Sequence, residues 1–196
     1  MNAAGKVCVL TGAGISAESG VPTFRAGGDA ATWKGRPFTE ISSAETARDN
    51  LPELWEWFDY RRAAIQHCVP NDAHRALMSW ESRLRDNFLI VTQNIDGLHT
   101  QAGSKNVLEL HGNIQRLRCT AGCRLKYEML PSDIPHEPDI CDLCDAPLRP
   151  DVVLFGEMLP EGFFEFAVEF ASTCDLFLSV GTSGVVYPAS ALVDVA

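Results

Sequence analysis

A strand pattern that runs straight into a glycine turn opens this chain and constrains its fold more than any other stretch. The four apolar residues 7–10 are typical of an interior parallel strand that is covered on both faces. They lead through Thr11 into Gly12-Ala13-Gly14-Ile15-Ser16-Ala17, which fits the G-x-G-x-x-G/A pattern of a dinucleotide-binding turn. The first glycine permits a tight turn, the second lets the backbone approach a pyrophosphate, and Ala17 is small enough for the next helix to pack on the strand. Glycine turns after strands are common, so this pattern alone does not decide the ligand.

The rest of the chain alternates strand patterns with helical ones. Apolar runs at 88–92, 107–110, 151–157 and 175–180 predict further buried strands. Apolar residues recur at helical spacing over 51–66, 72–85 and 161–172. This alternation predicts an α/β fold, a Rossmann-like doubly wound parallel sheet. Residues 1–113 and 151–196 would form that domain, and 114–150, which lack the rhythm, would form a small inserted module.

Composition narrows the class of protein. The chain has 196 residues, 46% of them hydrophobic, so it can bury a core and does not resemble a disordered chain. Its formal net charge of −10 disfavours direct binding to nucleic acid or to an anionic membrane surface. No apolar run approaches the roughly 20 residues of a membrane span, and no signal-peptide core precedes the first strand. These features predict a cytoplasmic enzyme.

Four of the seven cysteines form two close pairs. Cys119 and Cys123 are separated by three residues, Cys141 and Cys144 by two, and 17 residues lie between the pairs. This spacing is close to that of paired-cysteine zinc sites, with one extra residue in the first pair. Four thiolates would close a tetrahedral coordination sphere, so the pattern predicts one structural zinc ion. The alternative is four unrelated cysteines, but the pairing and the odd total favour metal binding in a reducing compartment.

Polar residues at the ends of predicted strands are candidates for chemistry. His111 follows 107–110 and precedes Gly112, so its imidazole would project into a cleft, where it could take a proton from a hydroxyl. Asn94 and Asp96 follow 88–92 at the same edge, where ligands bind in open α/β sheets. Each has an ordinary alternative. A lone histidine is more often a hydrogen-bonded core residue, and Asn94 or Asp96 could instead cap the next helix.

Six motifs occur together in a fixed order. They are Gly12-Ala13-Gly14-Ile15-Ser16 with Ser19-Gly20-Val21-Pro22-Thr23-Phe24-Arg25, then Thr92-Gln93-Asn94-Ile95-Asp96-Gly97-Leu98-His99, His111-Gly112, the four cysteines, Phe155-Gly156-Glu157 and Gly181-Thr182-Ser183. With these motifs the sequence closely resembles the sirtuins of bacterial type, the NAD-dependent protein-lysine deacylases. The resemblance runs from about Lys6 to the last residue.

The resemblance implies an NAD-binding Rossmann-like domain and a small zinc-binding module, with NAD and an acyl-lysine peptide of a protein substrate meeting in a cleft between them. The residues that it implies for NAD are Gly12, Ala13, Gly14, Ser16, Glu18, Thr23, Phe24, Arg25, Gln93, Asn94, Ile95, Asp96, Gly181, Thr182 and Ser183. It implies that Val153, Phe155, Gly156 and Glu157 line the acyl-lysine channel and add the peptide as a strand, whose backbone hydrogen bonds tolerate varied sequences.

The same resemblance implies a reaction that consumes NAD. The acyl oxygen attacks C1′ of the ribose, and nicotinamide leaves. His111 is the general base that deprotonates a ribose hydroxyl, so that the acyl group migrates and O-acyl-ADP-ribose is formed. Asn94 and Asp96 hold the nicotinamide ribose and carboxamide, which places Asn94 with His111 among the catalytic residues.

One departure from the family pattern leaves the acyl group open. In the subgroup that removes succinyl or malonyl groups, a Tyr and an Arg three residues later bind the acyl carboxylate, and the matching pair here is Phe58 and Arg61. Arg61 could pair with a carboxylate, but Phe58 has no hydroxyl, and Tyr60 would face elsewhere on the helix. Alternatively, Arg61 and Arg62 could be an exposed pair on a solvated helix face. The choice between deacetylation and desuccinylation stays open.

The end of the chain is the second departure. It stops at Ala196, within the helix that should follow Gly181-Thr182-Ser183, so the C-terminal part of the family fold is expected to be missing and a sheet edge exposed. Two alternatives to a deacylase follow: a protein ADP-ribosyltransferase that uses the same cleft, and a truncated, inactive fold that binds zinc or NAD. The sequence does not indicate an oligomeric state.

Overall fold

The computed structural model describes residues 5–23, 32–123, 126–128 and 136–196. The strands described there are β1 (Val7–Thr11), β2 (Thr32–Trp33), β3 (Arg36–Pro37), β4 (Phe88–Thr92), β5 (Val107–Glu109), β6 (Gly112–Cys119), β7 (Lys126–Glu128), β8 (Leu148–Val152) and β9 (Leu176–Val180). The α-helices are α1 (Phe38–Ile41), α2 (Ala44–Asp49), α3 (Leu51–Ile65), α4 (Asp72–Leu84), α5 (Leu98–Gln101), α6 (Phe163–Ser172) and α7 (Leu192–Val195), and 3-10 helices cover Ala13–Ser19, Arg85–Asn87 and Ala189–Ala191.

Contacts divide the chain into two compact units. The first comprises the described residues of Met1–Val21, Cys68–His111 and Leu159–Ala196, and the second those of Pro22–His67 and Gly112–Met158. The predicted module 114–150 falls within the second unit.

The first unit is built on a four-stranded sheet with the order β5-β4-β1-β9. All neighbouring strands in it are parallel. Alternate residues of β1 pack on opposite faces, because successive side chains of a strand point to opposite sides. Cys8 and Leu10 join a buried cluster with residues of α6 and α7, whereas Val7 and Val9 join a second cluster with Leu77 of α4. Helices therefore cover both faces, as the alternating sequence pattern predicts.

Strand β9 is less buried than its sequence predicts. Its apolar run reads as a buried strand, yet Leu176 is 43% exposed and the other four positions are half-buried or exposed. The strand lies at one end of the sheet order, with β1 as its neighbour among the described strands. The edge position sets the exposure, because an edge strand has a neighbour on one side only.

The prediction that 151–157 continues the parallel sheet is wrong. Asp151 and Val152 end β8, which pairs antiparallel with β6 in the three-stranded sheet β7-β6-β8 of the second unit. Asp151 is buried, and its Oδ2 accepts a hydrogen bond from Nε of Arg116 in β6 (3.1 Å). An apolar run predicts a buried strand without saying which sheet it joins. Here the antiparallel backbone ladder and a part-buried ion pair hold the strand to β6.

The three predicted helices are confirmed as α3, α4 and α6, with ends that differ by one or two residues. Helix α3 supplies much of the core of the second unit. Trp55 is 1% exposed and donates from Nε1 to the Leu148 carbonyl of β8 (3.0 Å). Among the described helices, none has the length and apolar character needed to cross a membrane.

Candidate functional site

The glycine turn after β1 packs against a second glycine turn after β9. The Gly14 N–H donates to the Gly181 carbonyl (2.7 Å), and the Gly12 N–H donates to the Val180 carbonyl (3.2 Å). A Cβ on Gly14 would lie 2.8 Å from the Gly181 oxygen, and one on Gly181 would lie 2.2 Å from the Ile15 nitrogen. Glycine is therefore required here because two backbones touch, whatever ligand the turn also approaches.

The segment after the turn is the 3-10 helix Ala13–Ser19. Ile15 and Ser16 are its buried residues, whereas Ala17 and Glu18 are exposed. The packing role predicted for Ala17 is therefore wrong. The tighter winding of a 3-10 helix, three residues per turn, places other positions against the strand than the dinucleotide pattern assumes.

Ser16 is fully buried and is the centre of a polar cluster. Its Oγ donates to Asp96 Oδ2 (2.8 Å) and accepts from Asn94 Nδ2 (3.1 Å). Asn94 Nδ2 also donates to the Gly12 carbonyl (3.2 Å), whereas Asp96 Oδ1 accepts the Leu98 N–H at the start of α5 (2.9 Å). One oxygen of Asp96 thus binds the first N–H of α5, while the Asn94 amide holds the glycine turn and the serine.

His111 is held in one tautomer by its backbone partner. Nδ1 lies 3.0 Å from the Gln93 carbonyl oxygen, and because a carbonyl only accepts, we assign the ring proton to Nδ1. The lone pair of the neutral ring is then on Nε2. Burial lowers the pKa of His111 below its ordinary value, against the opposing effect of the Gln93 hydrogen bond. The ring is therefore neutral at pH 7, the form that acts as a general base.

Gln93 connects the ends of three strands. It follows β4, its backbone N–H donates to the Thr11 carbonyl that ends β1 (3.0 Å), and its Nε2 donates to Thr182 Oγ1 beyond β9 (2.9 Å). Thr182 and Ser183 line a cavity of about 440 Å³, with Tyr187 on its wall. The structure thus brings residues predicted at three separate places in the chain to one edge of the sheet.

Two buried histidines that were not among the predicted site residues lie beside this cluster. His74 of α4 has its Nε2 3.4 Å from Ser16 Oγ, and His99 of α5 has its Nε2 3.0 Å from Thr11 Oγ1. Their ring centroids are 4.8 Å apart, and His74 Nδ1 is 3.0 Å from Oδ1 of the helix cap Asn71. Burial lowers the pKa of both rings, and together with the neighbouring His74 it lowers the pKa of His99 to about 4. A histidine within the first turn of a predicted helix was the available signal for His74.

For three other residues predicted to bind NAD, the structure gives the burial of the side chain. Ala13 and Ile95 are half-buried in the first unit, and Thr23 is half-buried in the second. Phe24 and Arg25 lie outside the described residues.

Phe58 and Arg61 of α3 are both buried, at 2% and 5% exposure. The alternative that Arg61 and Arg62 form a solvated pair is wrong, since Arg62 is also buried (8%) and both rest against tryptophan rings. The Arg61 guanidinium carbon is 5.7 Å from the centre of the Trp57 ring, and burial lowers the pKa of Arg61. Tyr60 stacks on the same tryptophan with its side chain 46% exposed. Arg61 is therefore an internal cation of the second unit.

The backbone N–H and carbonyl of Phe155 both make hydrogen bonds within the second unit. Its N–H donates to the Ser42 carbonyl (2.8 Å), and its carbonyl accepts from the Ala44 N–H (2.9 Å). The N–H is therefore not available to an added peptide strand, whereas the carbonyl keeps a second lone pair. Val153 is half-buried, and Gly156 is exposed with φ +86°.

Glu157 binds two arginine side chains and one backbone N–H of the second unit. Its carboxylate accepts hydrogen bonds from Nη2 of Arg118 (3.0 Å), Nη2 of Arg149 (2.8 Å) and the backbone N–H of Leu154 (3.0 Å). Arg149 is only 4% exposed, so the pair neutralises a buried charge.

The four paired cysteines meet at one point. The Sγ atoms of Cys119, Cys123, Cys141 and Cys144 all lie within 4.8 Å of one another. Burial raises the pKa of the Cys119 thiol, but hydrogen bonds from the backbone N–H groups of Cys123 and Ala121 and from neighbouring thiols outweigh it and lower that pKa to about 7. Four converging thiols are the donor set of a closed tetrahedral zinc site, so these residues fit the predicted ion.

Comparison with known proteins identifies the family. The sequence model of the Sir2 family matches residues 12–188. The chain belongs to the Sir2 family. Among Sir2 relatives, an NAD-dependent protein deacylase of Aquifex aeolicus is 46% identical over 190 residues, which are 97% of this chain and 78% of the relative. An NAD-dependent protein deacylase of Mycobacterium tuberculosis is 42% identical over 196 residues, with 97% and 81% covered.

Solved Sir2 structures have the same fold. A Sir2 homologue in complex with NAD superimposes with a TM-score of 0.86 at 38% identity, over 98% of this chain and 74% of that one. A Sir2 protein bound to a propionylated peptide superimposes with a TM-score of 0.78 at 32% identity, over 96% and 75%.

Proposed function

We propose that this Sir2 chain is an NAD-dependent protein-lysine deacylase that yields nicotinamide and O-acyl-ADP-ribose. The observation that carries the proposal is the tautomer of His111, whose neutral ring has its lone pair on Nε2 close to where the parallel strands end. The names of relatives that are 46% and 42% identical support the same activity.

NAD would be bound by the residues that follow β1, β4 and β9. Bound there, NAD supplies the ribose carbon that accepts the acyl oxygen as nicotinamide leaves. Asn94 and Asp96 would hold the nicotinamide ribose and carboxamide, since hydrogen bonds to Ser16 already fix both side chains in place. Ser16 itself would lie at the phosphate and ribose region. The proposed set also includes Gly12, Ala13, Gly14, Glu18, Thr23, Phe24, Arg25, Gln93, Ile95, Gly181, Thr182 and Ser183.

His111 would accept a proton from a ribose hydroxyl at Nε2 while Nδ1 stays bonded to the Gln93 carbonyl. Because burial lowers the pKa of His111 below 6.5, activity should rise as the pH passes through that lowered pKa and level off above it.

The residues proposed to bind the acyl-lysine are Phe58, Arg61, Val153, Phe155, Gly156 and Glu157. Both an acetyl and a succinyl group remain candidates. The Arg61 guanidinium has the charge to pair with a succinyl carboxylate, whereas Phe58 lacks a hydroxyl to add a second hydrogen bond.

We also propose that Cys119, Cys123, Cys141 and Cys144 hold one structural zinc ion in a module of residues 114–150. Four thiols that bind a metal must stay reduced, which supports a cytoplasmic location.

One experiment tests the deacylase proposal. The protein is incubated with NAD and matched acetyl-lysine and succinyl-lysine peptides, beside His111→Ala and the exposed-site control His67→Ala. Mass spectrometry should detect O-acyl-ADP-ribose and nicotinamide with the wild type and with His67→Ala. General-base catalysis is worth about 10²–10⁴-fold, so turnover by His111→Ala should fall by that factor.

The outcomes separate the alternatives. Full activity of His111→Ala would refute its role as the base. ADP-ribosylated protein without O-acyl-ADP-ribose would favour a transferase, and folded protein that gives no calorimetric heat with NAD would favour an inactive fold.

A further inference from the structure

One buried side chain outside the proposed contacts, His99, touches two residues that support the site, Thr11 and His74. His99 is 2% exposed, its Nε2 lies 3.0 Å from Thr11 Oγ1, and its ring is 4.8 Å from that of His74. Its Nδ1 is buried and has no hydrogen-bond partner in the part of the chain that is described. A buried polar atom without a partner is destabilising, so packing alone does not explain a histidine at this position.

The proton of His99 can be assigned from these contacts. Orphaned buried N–H groups are rarer than orphaned acceptors, so Nδ1 carries the lone pair and Nε2 the proton. His99 therefore donates to the Thr11 hydroxyl.

The first path from His99 runs through Thr11 to the proposed base. The Thr11 carbonyl accepts the Gln93 N–H (3.0 Å), and the Gln93 carbonyl accepts the His111 Nδ1 proton (3.0 Å). A shift of Thr11 would therefore move the group that fixes the tautomer of His111.

The second path runs through His74 to the polar cluster of Ser16, Asn94 and Asp96, called the NAD cluster below. The His99 ring packs against His74, whose Nε2 reaches Ser16 Oγ (3.4 Å). Ser16 in turn holds Asp96 and Asn94. Removing the ring would open space beside His74 and loosen its hold on Ser16.

We propose that His99 is a positioning residue for the reaction. It holds the base, His111, in position through Thr11, and it holds the NAD cluster in position through His74. The inference rests on the proposed function, since it assigns His99 a part in that reaction.

Four variants separate the two paths. His99→Phe keeps a ring against His74 but removes the bond to Thr11, and Thr11→Val removes the same bond from the other side. His99→Ala removes the bond and the ring. His99→Gln offers an amide that can restore the bond, and exposed His67→Phe is the control.

We expect His99→Phe and Thr11→Val each to lower kcat by about tenfold, with the calorimetric Kd for NAD within about threefold of wild type. The double variant should be no worse than either single one, because both remove one bond. His99→Ala should in addition weaken NAD binding by about tenfold, and His99→Gln should recover kcat to within about threefold of wild type.

Other outcomes overturn the inference. Wild-type kcat and Kd in both His99→Phe and His99→Ala would refute it while the deacylase proposal stands. A merely structural role would give a different result. The losses in kcat would then multiply in the double variant, would follow the unfolding temperature and would not be recovered by His99→Gln. A wild type that neither binds NAD nor releases nicotinamide would refute the proposed function, and this inference with it.

Discussion

Protonation of His99 should destabilise the first unit in mild acid. Burial, with the neighbouring His74, lowers the pKa of this ring from 6.5 to about 4. Because the folded pKa lies below the unfolded one, the unfolded chain binds more protons, and stability falls as the pH falls from 6.5 towards 4. Between pH 7 and pH 5 this ring alone should remove about 2 kcal/mol from the free energy of unfolding.

Urea unfolding at both pH values measures this effect in the wild type, His99→Phe and the exposed control His67→Gln. Phenylalanine keeps the ring volume and removes the titration, so the loss between pH 7 and pH 5 should shrink by about 2 kcal/mol in His99→Phe only. Comparing the pH dependence cancels whatever His74 and the thiols contribute in all three proteins. An equal acid loss in all three would refute a buried His99 with a lowered pKa.

Two further predictions concern the glycine contact and the cysteines. Gly181→Ala would place a Cβ 2.2 Å from the Ile15 nitrogen and should lower the free energy of unfolding by about 3 kcal/mol or more. Gly184 has a similar φ and no atom within 4 Å of the position that a Cβ would take, so Gly184→Ala should lower it by only about 1 kcal/mol. Urea unfolding of the two variants compares these losses, and equal losses would contradict the close contact. Cys141→Ser should lose stoichiometric zinc by elemental analysis while the half-buried thiol variant Cys68→Ser keeps it, and full zinc in Cys141→Ser would contradict the proposed ligand set.

Periodicity was sufficient to locate the longer elements of the first unit, which are strongly apolar on one face or throughout. Strand β4 and helix α4 lie where their patterns predict them, since each buries one continuous apolar run or face. Short elements such as α1 and β2 carry too few residues to show a period. The position of 151–157 could not be predicted, because the partner that holds β8, Arg116, is 35 residues away in sequence.

Motif spacing was sufficient to nominate the ends of the strands, but it could not assign the hydrogen bonds made there. Ser16, Asn94 and Asp96 were each a candidate, and only their mutual distances make them one cluster. The same limit applies to Glu157, which the family resemblance assigns to the acyl-lysine channel and whose carboxylate binds the buried Arg149. Polar partners brought together by tertiary structure leave no periodic signal along the chain.

The glycine turn illustrates why a motif and its physical cause must be separated. The dinucleotide pattern explains its second glycine by a phosphate, yet Gly14 is already required by the Gly181 backbone at 2.8 Å. Any chain that joins β1 to β9 in this way needs that glycine, with or without NAD. The chemistry is instead set by the side chains around the turn, among them His111, which the Gln93 carbonyl fixes with its lone pair on Nε2. Evidence for deacylation therefore has to come from His111 and the residues that hold it in position, rather than from the glycines.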